Sequence, residues 1–252
     1  MTRALITGAS TGLGAEYARQ LAARGDDLVL VARNEQALTA LAAELGRLGV
    51  EIEVLPADLL DPEQLSRVEE RLTNEAEPVD MLINNAGFGM GLRFERNAVD
   101  DEVRHLRLHN EVPLRLMHAA LGGMLARGDG RIVNVASVAA FLPRSTYAAC
   151  KRWLVEISRW MTGEYGPRGV TATAVCPGYT HTEFHARLGL PAGKEGVPGW
   201  MWLTAPDVIA ESLRDIDRGR SISVPSKRYK AIVALLKVVP PGVAAKAGAR
   251  GR

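Results

Sequence analysis

Short apolar runs alternate with amphipathic stretches along most of the chain. Several of the runs contain no polar alternation, which is typical of parallel strands covered by helices on both faces. The seven runs that predict strands are residues 4–6, 28–31, 52–55, 81–83, 132–135, 172–175 and 222–224. This alternation predicts a single α/β domain with a doubly wound, seven-stranded parallel sheet. In such a sheet, ligands bind at the carboxyl ends of the strands.

Two helix starts carry capping signals. Asp61 offers an N-cap, Pro62 occupies the first helical position and Gln64 supplies the acceptor of a capping box, which predicts a helix running toward residue 75. Asn34 is a similar cap for a segment that ends near residue 48. Both starts support the predicted crossovers between parallel strands.

Two stretches lack this regularity. Residues 179–204 form a weakly patterned segment about twice as long as a normal connection, and we interpret them as a substrate lid. The run Trp-Met-Trp-Leu at 200–203 suggests an apolar ligand, and packing of the lid onto the domain explains it equally well. The C-terminal tail, about 226–252, contains an apolar-basic segment, 229–239, that is too short to span a membrane. We expect that segment to pack against a partner subunit.

The composition argues against several classes of protein. With 31 Lys and Arg against 29 Asp and Glu, a net charge of +2 favours neither nucleic acid nor an anionic membrane as a partner, so a small molecule fits better. Cys150 and Cys176 lack metal-ligand spacing and suit reduced thiols in a cytosol. The amino terminus has no signal-peptide pattern, and no apolar run of about 18 residues follows. We therefore expect a cytoplasmic protein without a membrane span.

A glycine-rich loop directly follows the first predicted strand and precedes an amphipathic helix. Glycines let the backbone approach a pyrophosphate, and the amide groups at the start of a helix stabilise its charge. A tight turn that needs glycine only for its geometry is the alternative, and the strand and helix on either side favour nucleotide binding. The loop residues that we expect to contact the nucleotide are Gly8, Ser10, Thr11, Gly12, Leu13 and Gly14.

Three motifs in the same order resemble the short-chain dehydrogenase/reductase family. They are the TGxxxGxG loop at 7–14, Asn-Asn-Ala-Gly at 84–87 and the YxxxK motif formed by Tyr147 and Lys151. The resemblance extends from residue 3 to about residue 225. It implies a Rossmann fold and an oxidoreductase that moves a hydride between a nicotinamide and a carbonyl or alcohol carbon.

The resemblance also implies which further residues bind the cofactor. Asp58 and Leu59 would flank the adenine, and Asn84, Asn85 and Gly87 would line the cofactor ribose. Pro177, Gly178, Thr180 and Thr182 would contact the nicotinamide side. For Asp58 a loop cap is the alternative, and for the two asparagines a structural turn, because Asx residues often serve turns.

Four residues match the catalytic positions of that family. The resemblance implies that Ser137 orients the carbonyl, Tyr147 transfers the proton, Lys151 tunes Tyr147 and Asn110 holds a relay water. Ser145 is the alternative hydroxyl, but its place just before Tyr147 suits a helix cap, whereas Ser137 follows an apolar strand. Asn110 could also be a merely solvated residue within a helix.

Tyr147 and Lys151 are four residues apart and share a helical face. Lowering the pKa of a phenol from about 10 to about 7 requires about 4 kcal/mol of preferential phenolate stabilisation. One unit charge at about 4 Å, with an effective dielectric constant of about 20, supplies a comparable amount. Burial would oppose this change, so we expect an oxidised nicotinamide and Ser137 to assist Lys151.

The end of the second predicted strand bears on the choice of nicotinamide. An acidic residue there suits a free ribose 2′-hydroxyl, and a cation suits a 2′-phosphate. The strand ends in Ala32-Arg33-Asn34, so we expect Arg33 to bind the phosphate of NADP(H), with hydroxyl donors from Ser10 and Thr11. The alternatives are that Arg33 stacks on the adenine or is simply solvated, and that Glu35 competes for Arg33 or binds the ribose of NAD.

Metal binding and two other functions are the alternatives to an oxidoreductase. His181 and His185 have a ligand-competent spacing, but no third ligand accompanies them, so we expect no metal. A nucleotide sensor without turnover is the main rival, and the complete set of catalytic residues argues against it. An epimerase or dehydratase would usually need a longer chain. Because relatives pair through the helices that here span 110–125 and 147–161, we expect a homodimer or homotetramer.

Overall fold

The computed structural model describes residues 2–90, 93–182 and 197–238. Within these ranges it contains one sheet of seven parallel strands in the order β3-β2-β1-β4-β5-β6-β7. Each predicted strand is confirmed, with small changes at its ends. The strands are β1 (Arg3–Thr7), β2 (Asp27–Ala32), β3 (Ile52–Pro56), β4 (Met81–Asn84), β5 (Gly130–Val135), β6 (Val170–Val175) and β7 (Ile222–Ser223).

Helices connect the strands. They are α1 (Gly12–Ala23), α2 (Glu35–Leu45), α3 (Pro62–Leu72), α4 (Val99–Leu106), α5 (Val112–Arg127), α6 (Thr146–Tyr165), α7 (Ala205–Asp217) and α8 (Lys227–Val238). A π-helical turn, Arg107–Glu111, joins α4 to α5. None of the helices in the described ranges is long and apolar enough to cross a membrane.

The predicted helix caps hold, with one correction. Asn34 accepts from the Ala37 amide, and the Asp61 carboxylate accepts from the amides of Glu63 and Gln64. The Gln64 side chain does not close a capping box through hydrogen bonding to the Asp61 amide. It accepts instead from the Asp58 amide at 2.8 Å and so fixes the loop after β3. Helix α3 ends at Leu72, earlier than the predicted residue 75.

The core lies on both faces of the sheet. In β2, Leu28 and Leu30 pack on one side with α1, α2 and α7, whereas Val29 and Val31 pack on the other side with α3 and α5. Successive strand residues point to opposite faces, so a sheet covered on both sides needs apolar residues at consecutive positions. This explains the missing polar alternation in the sequence.

The strand order reverses between β1 and β4. The chain proceeds from β1 to β2 on one side, while β4 pairs with β1 on the other side, and this arrangement opens a crevice at the carboxyl ends of the two strands. The glycine-rich loop follows β1, and the Asn-Asn-Ala-Gly turn follows β4. Ser137 and Pro177 follow β5 and β6 at the same edge.

The segment predicted as a lid is described only at its two ends, because residues 183–196 lie outside the described ranges. The ends pair with each other: the Leu203 amide donates to the Tyr179 carbonyl at 2.8 Å, and the His181 amide donates to the Leu203 carbonyl at 3.0 Å. Leu203 is buried, while Trp200 is exposed. The base of the segment therefore packs onto the domain.

The C-terminal segment begins as helix α8, and it corrects one prediction. Tyr229 and Val233 are buried in the core of their own domain, so these two side chains pack without a partner subunit. The Tyr229 hydroxyl donates to the Met201 carbonyl and accepts from the Tyr179 amide, so it joins α8 to both ends of segment 179–204. Residues 239–252 of the tail lie outside the described ranges.

Candidate active site

The glycine-rich loop forms a cradle that side chains would fill. Gly8 and Gly12 have φ values of +65° and +58°, which side chains disfavour. A Cβ atom on Gly14 would lie 2.2 Å from the Gly8 carbonyl oxygen, and one on Gly8 would lie 2.9 Å from the Ala86 Cα atom. The Thr11 side chain does not cap α1, and the first helical turn contains no acidic residue. The loop and the start of α1 therefore fit the pyrophosphate of a dinucleotide.

The Asn-Asn-Ala-Gly turn is tied to the glycine-rich loop by polar side chains. The Asn85 side chain donates to the carbonyls of Thr7 and Gly8 at 2.9 and 3.1 Å. The Thr7 hydroxyl accepts from the amides of Asn85 and Ala86. Asn84 donates to the Asn134 side chain at 2.9 Å. Both asparagines thus hold backbone and core groups, which matches the structural-turn alternative.

Sequence reasoning missed three residues that support this turn. Asn134 in β5 accepts from Asn84 and donates to the Ser158 hydroxyl of α6 at 2.9 Å. Thr7 begins the glycine-rich motif, and nothing in the sequence indicated that its hydroxyl also holds the turn after β4. A buried asparagine inside an apolar strand, as at position 134, is the signal that could have identified the network, because such a residue needs polar partners.

Ser137 and Tyr147 are brought together across the end of β5. The Ser137 oxygen accepts from the Ala139 amide at 3.1 Å, and its side chain also hydrogen-bonds Tyr147. Ser145 accepts from the Ala148 amide and caps α6, as the alternative assignment expected. Burial raises the pKa of Tyr147 to about 12, and the hydrogen bond with Ser137 opposes that rise.

Lys151 lies behind Tyr147 on the same face of α6. Its ammonium nitrogen donates to the Val135 carbonyl at 2.7 Å and is 5.6 Å from the centre of the Tyr147 ring. Burial lowers the pKa of Lys151 to about 8. The expected lowering of the phenol pKa to about 7 is absent from the protein alone, because desolvation outweighs the favourable interactions.

Asn110 lies in the π-helical turn, which corrects its expected place within a regular helix. Such turns insert an extra residue and redirect side chains, often at functional sites. The Asn110 amide nitrogen donates to the Cys150 carbonyl at 3.2 Å, next to Lys151. Its amide oxygen is buried, with no hydrogen-bond partner among the described residues. Its role in holding a relay water stays a prediction.

Two histidines lie beside Tyr147, and sequence reasoning assigned them no role. His105 and His109 are buried, and their ring centres lie 5.9 and 5.8 Å from that of Tyr147. Burial lowers the pKa of His105 to about 4 and that of His109 well below its ordinary value. Both imidazoles are therefore neutral near pH 7. Their spacing of four residues, the same as that of Tyr147 and Lys151, is the signal that could have paired them.

The three side chains predicted at the adenine end of the crevice differ in their exposure and in their contacts. Arg33 is exposed directly after β2, and the carboxyl end of that strand contains no carboxylate. Asp58 accepts from the Leu60 amide at 3.0 Å, which is the loop-cap alternative. The Leu59 side chain is buried among the core residues on one face of the sheet. Its contact with the adenine stays a prediction.

The predicted nicotinamide side lies after β6. The Pro177 carbonyl accepts from the Val138 amide at 3.0 Å, and the Thr180 hydroxyl donates to the Gly178 carbonyl at 3.0 Å. A Cβ atom on Gly178 would lie 2.1 Å from the Tyr229 ring, so α8 presses against this segment. A Cβ atom on Gly12 would lie 3.4 Å from Thr182. Thr182 therefore reaches the glycine-rich loop from the opposite wall of the crevice.

The His181 ring, considered above as a possible metal ligand, makes an aromatic contact instead. The His181 ring stacks on Trp202 with centres 4.7 Å apart. His185 lies outside the described ranges. Among residues 2–90, 93–182 and 197–238, no three His, Cys, Asp or Glu side chains are grouped as a metal site would require.

Comparisons with known proteins agree with this geometry. The family model described as short chain dehydrogenase matches residues 2–191. An uncharacterised oxidoreductase of Mycobacterium tuberculosis is 32% identical over 224 residues, which cover 79% of this chain and 88% of that protein. The 3-oxoacyl-[acyl-carrier-protein] reductase of Vibrio harveyi is 32% identical over 209 residues, which cover 77% of this chain and 84% of that protein.

Solved structures are similar over nearly the whole chain. A short-chain dehydrogenase from Sphingobium yanoikuyae in complex with NADPH is 34% identical, with a TM-score of 0.85 over 95% of this chain and 97% of that one. A bulky-bulky ketone specific alcohol dehydrogenase from Comamonas testosteroni is 30% identical, with a TM-score of 0.80 over 95% of each chain. Fold, motifs and relatives agree, and the chain belongs to the short-chain dehydrogenase family of oxidoreductases.

Proposed function

We propose that the protein is an NADP(H)-dependent reductase of apolar ketones or aldehydes, which also oxidises the corresponding alcohols. The observation that carries the proposal is the meeting of Ser137, Tyr147 and Lys151 at the same sheet edge as the glycine cradle. Similar structures that contain NADPH or NADP support the choice of cofactor.

Each residue has a distinct part in the reaction. When bound, the nicotinamide supplies or accepts the hydride. The Ser137 and Tyr147 hydroxyls donate to the carbonyl oxygen, where negative charge develops during reduction. Tyr147 then gives its proton to that oxygen, and in oxidation its phenolate takes the proton of the alcohol. Lys151 donates one of its three protons to Val135 and keeps two for the phenol and for a cofactor hydroxyl.

The raised pKa of the partly buried Tyr147 phenol favours reduction as the easier direction near neutral pH. With a pKa raised to about 12, Tyr147 keeps its proton and can act as an acid. Oxidation needs the phenolate, so its rate should rise with pH, whereas the rate of reduction should fall only at high pH. Protonated Lys151 supports the phenolate below its own pKa of about 8.

The choice between the two nicotinamides depends on the tip of β2. Arg33 is exposed there, and Asn34 is committed to capping α2. A guanidinium with no neighbouring carboxylate on the strand can pair with two oxygens of a ribose 2′-phosphate. This supports NADP(H) over NAD(H).

Aromatic side chains near the nicotinamide side suggest an apolar substrate. Trp202 contacts both Tyr179 and His181, with ring centres 5.7 and 4.7 Å apart, and Trp200 is exposed. The related alcohol dehydrogenase is described as specific for bulky-bulky ketones. We therefore expect ketones with large apolar substituents to react faster than small polar ones.

A panel of carbonyl compounds of graded hydrophobicity tests the proposal. The purified protein is mixed with NADPH, and cofactor oxidation is followed with each compound. We expect turnover that increases with apolar surface and that Tyr147→Phe abolishes. NADPH binding without turnover on any compound would favour the nucleotide sensor instead.

We also propose that the protein is a cytoplasmic homodimer or homotetramer assembled through α4, α5 and α6. Val99, Val103 and Leu106 form an exposed apolar stripe on α4, and Leu114 on α5 and Trp160 on α6 are also exposed. Exposed apolar patches of this kind favour association. Light scattering at micromolar concentration should give a multiple of 27.2 kDa, and a strictly monomeric mass would refute the assembly.

A further inference from the structure

His109 bridges the turn after β4 and the tyrosine of the candidate active site. We propose that His109 is a positioning residue that holds the Gly87–Phe88 backbone at a fixed distance from Tyr147. The inference rests on the proposed function and extends it, because none of the family motifs described above includes this histidine.

The first set of contacts ties His109 to the turn. Its Nε2 atom lies 2.8 Å from the Phe88 carbonyl oxygen and 3.2 Å from the Phe88 amide nitrogen. The imidazole also occupies the space that a side chain at position 87 would need, since a Cβ atom on Gly87 would lie 2.5 Å from His109 Cε1. Gly87 therefore lets the ring reach the backbone of the turn.

The second set of contacts ties the same ring to Tyr147. The two ring planes meet edge to face at 86°, with centres 5.8 Å apart. His105 packs against His109 at 4.2 Å between ring centres, and its Nδ1 atom lies 3.9 Å from the Cys150 sulfur. A rotation of His109 would disturb both neighbours, because buried rings have little free space.

The hydrogen-bonding state of His109 follows from its surroundings. In a neutral ring, Nε2 can donate to the Phe88 carbonyl or accept from the Phe88 amide, but not both. We assign the proton to Nε2, because the carbonyl oxygen is the nearer of the two atoms. The Nδ1 atom is buried, with no hydrogen-bond partner in the described part of the chain. The Nε2 donor is therefore the functional atom, and a side chain that keeps a donor at that position should keep the role.

Substitutions that separate the two nitrogen positions provide the test. His109→Gln keeps an N–H donor at about the distance of Nε2, His109→Asn keeps one only near the position of Nδ1, and His109→Leu keeps volume without a donor. His118→Asn, on the exposed surface of α5, is the matched control. Wild type and variants are compared with and without NADPH.

Three measurements are made on each protein. Hydrogen exchange of residues 85–90 is followed in the cofactor-free protein, NADPH affinity is measured by fluorescence titration, and kcat and KM are measured with one reactive ketone. For the Asn and Leu variants we expect faster exchange, a three- to tenfold weaker NADPH affinity and a kcat reduced by about the same factor, as for loss of one neutral hydrogen bond. The KM for the ketone should change by less than about twofold, and the Gln variant should stay close to wild type.

The outcomes separate this inference from the proposed function. If wild type turns over but the Asn and Leu variants match it in all three measurements, the positioning role is wrong. It is equally wrong if the Gln variant loses as much as the Asn variant, because volume alone would then explain the effect. If wild type shows no turnover, the proposed function fails, while exchange and NADPH affinity still decide the role of His109. Should the Leu variant not fold, the comparison of Gln with Asn decides.

Discussion

The two ends of the parallel sheet place titratable groups in opposite environments. At the amino edge, Arg3 forms ion pairs with Asp27, Glu51 and Glu77 at 3.5, 2.9 and 3.9 Å, and the two glutamates are exposed. At the carboxyl edge, His105, His109 and Lys151 are buried beside Tyr147, and none of them forms an ion pair in the described part of the chain. Burial displaces their pKa values, and the attraction of Glu102 for His105 is smaller than that effect.

The titratable groups at the amino edge are therefore typical of a solvated surface, whereas those at the carboxyl edge are typical of an active site. Exposed ion pairs contribute little to stability, because water screens them. Burial without counter-ions shifts pKa values strongly, which is typical of functional sites. Substitutions at the two edges should therefore have effects of very different size.

Tyr147→Phe should have the largest effect. Phenylalanine fills the same partly buried space but has no proton to transfer, and general acid catalysis typically contributes a factor of about 100 to 10,000. We expect kcat for ketone reduction to fall by at least about 100-fold, with an unchanged melting temperature. A variant that retains more than a tenth of wild-type kcat would remove Tyr147 from the proton-transfer step.

Lys151→Ala should move the pH profile of alcohol oxidation to higher pH. Removing the cation destabilises the phenolate, so the pKa of Tyr147 rises further and more base is needed. NADPH binding should weaken as well, because the variant lacks the ammonium donor for a cofactor hydroxyl. Lys151→Met, which keeps most of the side-chain volume, controls for the cavity. An unchanged profile with unchanged affinity would contradict the assigned role.

Arg33→Ala should reduce the preference for NADPH over NADH. Loss of a charge-assisted pair with the 2′-phosphate corresponds to about 1.5 to 3 kcal/mol, or roughly ten- to 100-fold in kcat/KM with NADPH. The value with NADH should hardly change, which makes NADH the internal control. A wild-type preference for NADH, or an undiminished preference in the variant, would overturn the assignment of Arg33.

Acid should destabilise the fold through the buried histidines. Their folded-state pKa values lie below the unfolded value of about 6.5, so below that pH the unfolded state binds more protons than the folded state. Stability is complete above about pH 6.5 and is lost as the pH falls toward and past 4, the pKa of His105. His105→Phe should make this decline shallower in melting-temperature measurements, and His118→Asn should not. An identical decline in both variants would contradict the explanation.

Arg3→Gln should have the smallest effect. The ion pairs at the amino edge are largely exposed on their acidic side, so the free energy of unfolding should fall by less than about 1 kcal/mol. Neither kcat nor NADPH affinity should change, since Arg3 lies at the opposite end of the strands from the site. A tenfold loss of activity in this variant would mean that the two edges are coupled.

The sequence by itself determined the features that depend on nearby residues. The seven strands, the caps at Asn34 and Asp61, and the glycine-rich loop all follow from local propensity and from backbone conformations that neighbouring residues impose. The shared face of Tyr147 and Lys151 follows from helical spacing alone.

Only the tertiary structure decided the features that depend on distant elements. It decided that Leu59 is a core residue, that Asn84 and Asn85 bind the interior of the protein, and that Asn110 stands in a π-helical turn. It also decided that the pKa of Tyr147 rises. Desolvation depends on which helices cover a side chain, and residues far apart in the chain supply that cover, so no local pattern in the sequence contains it.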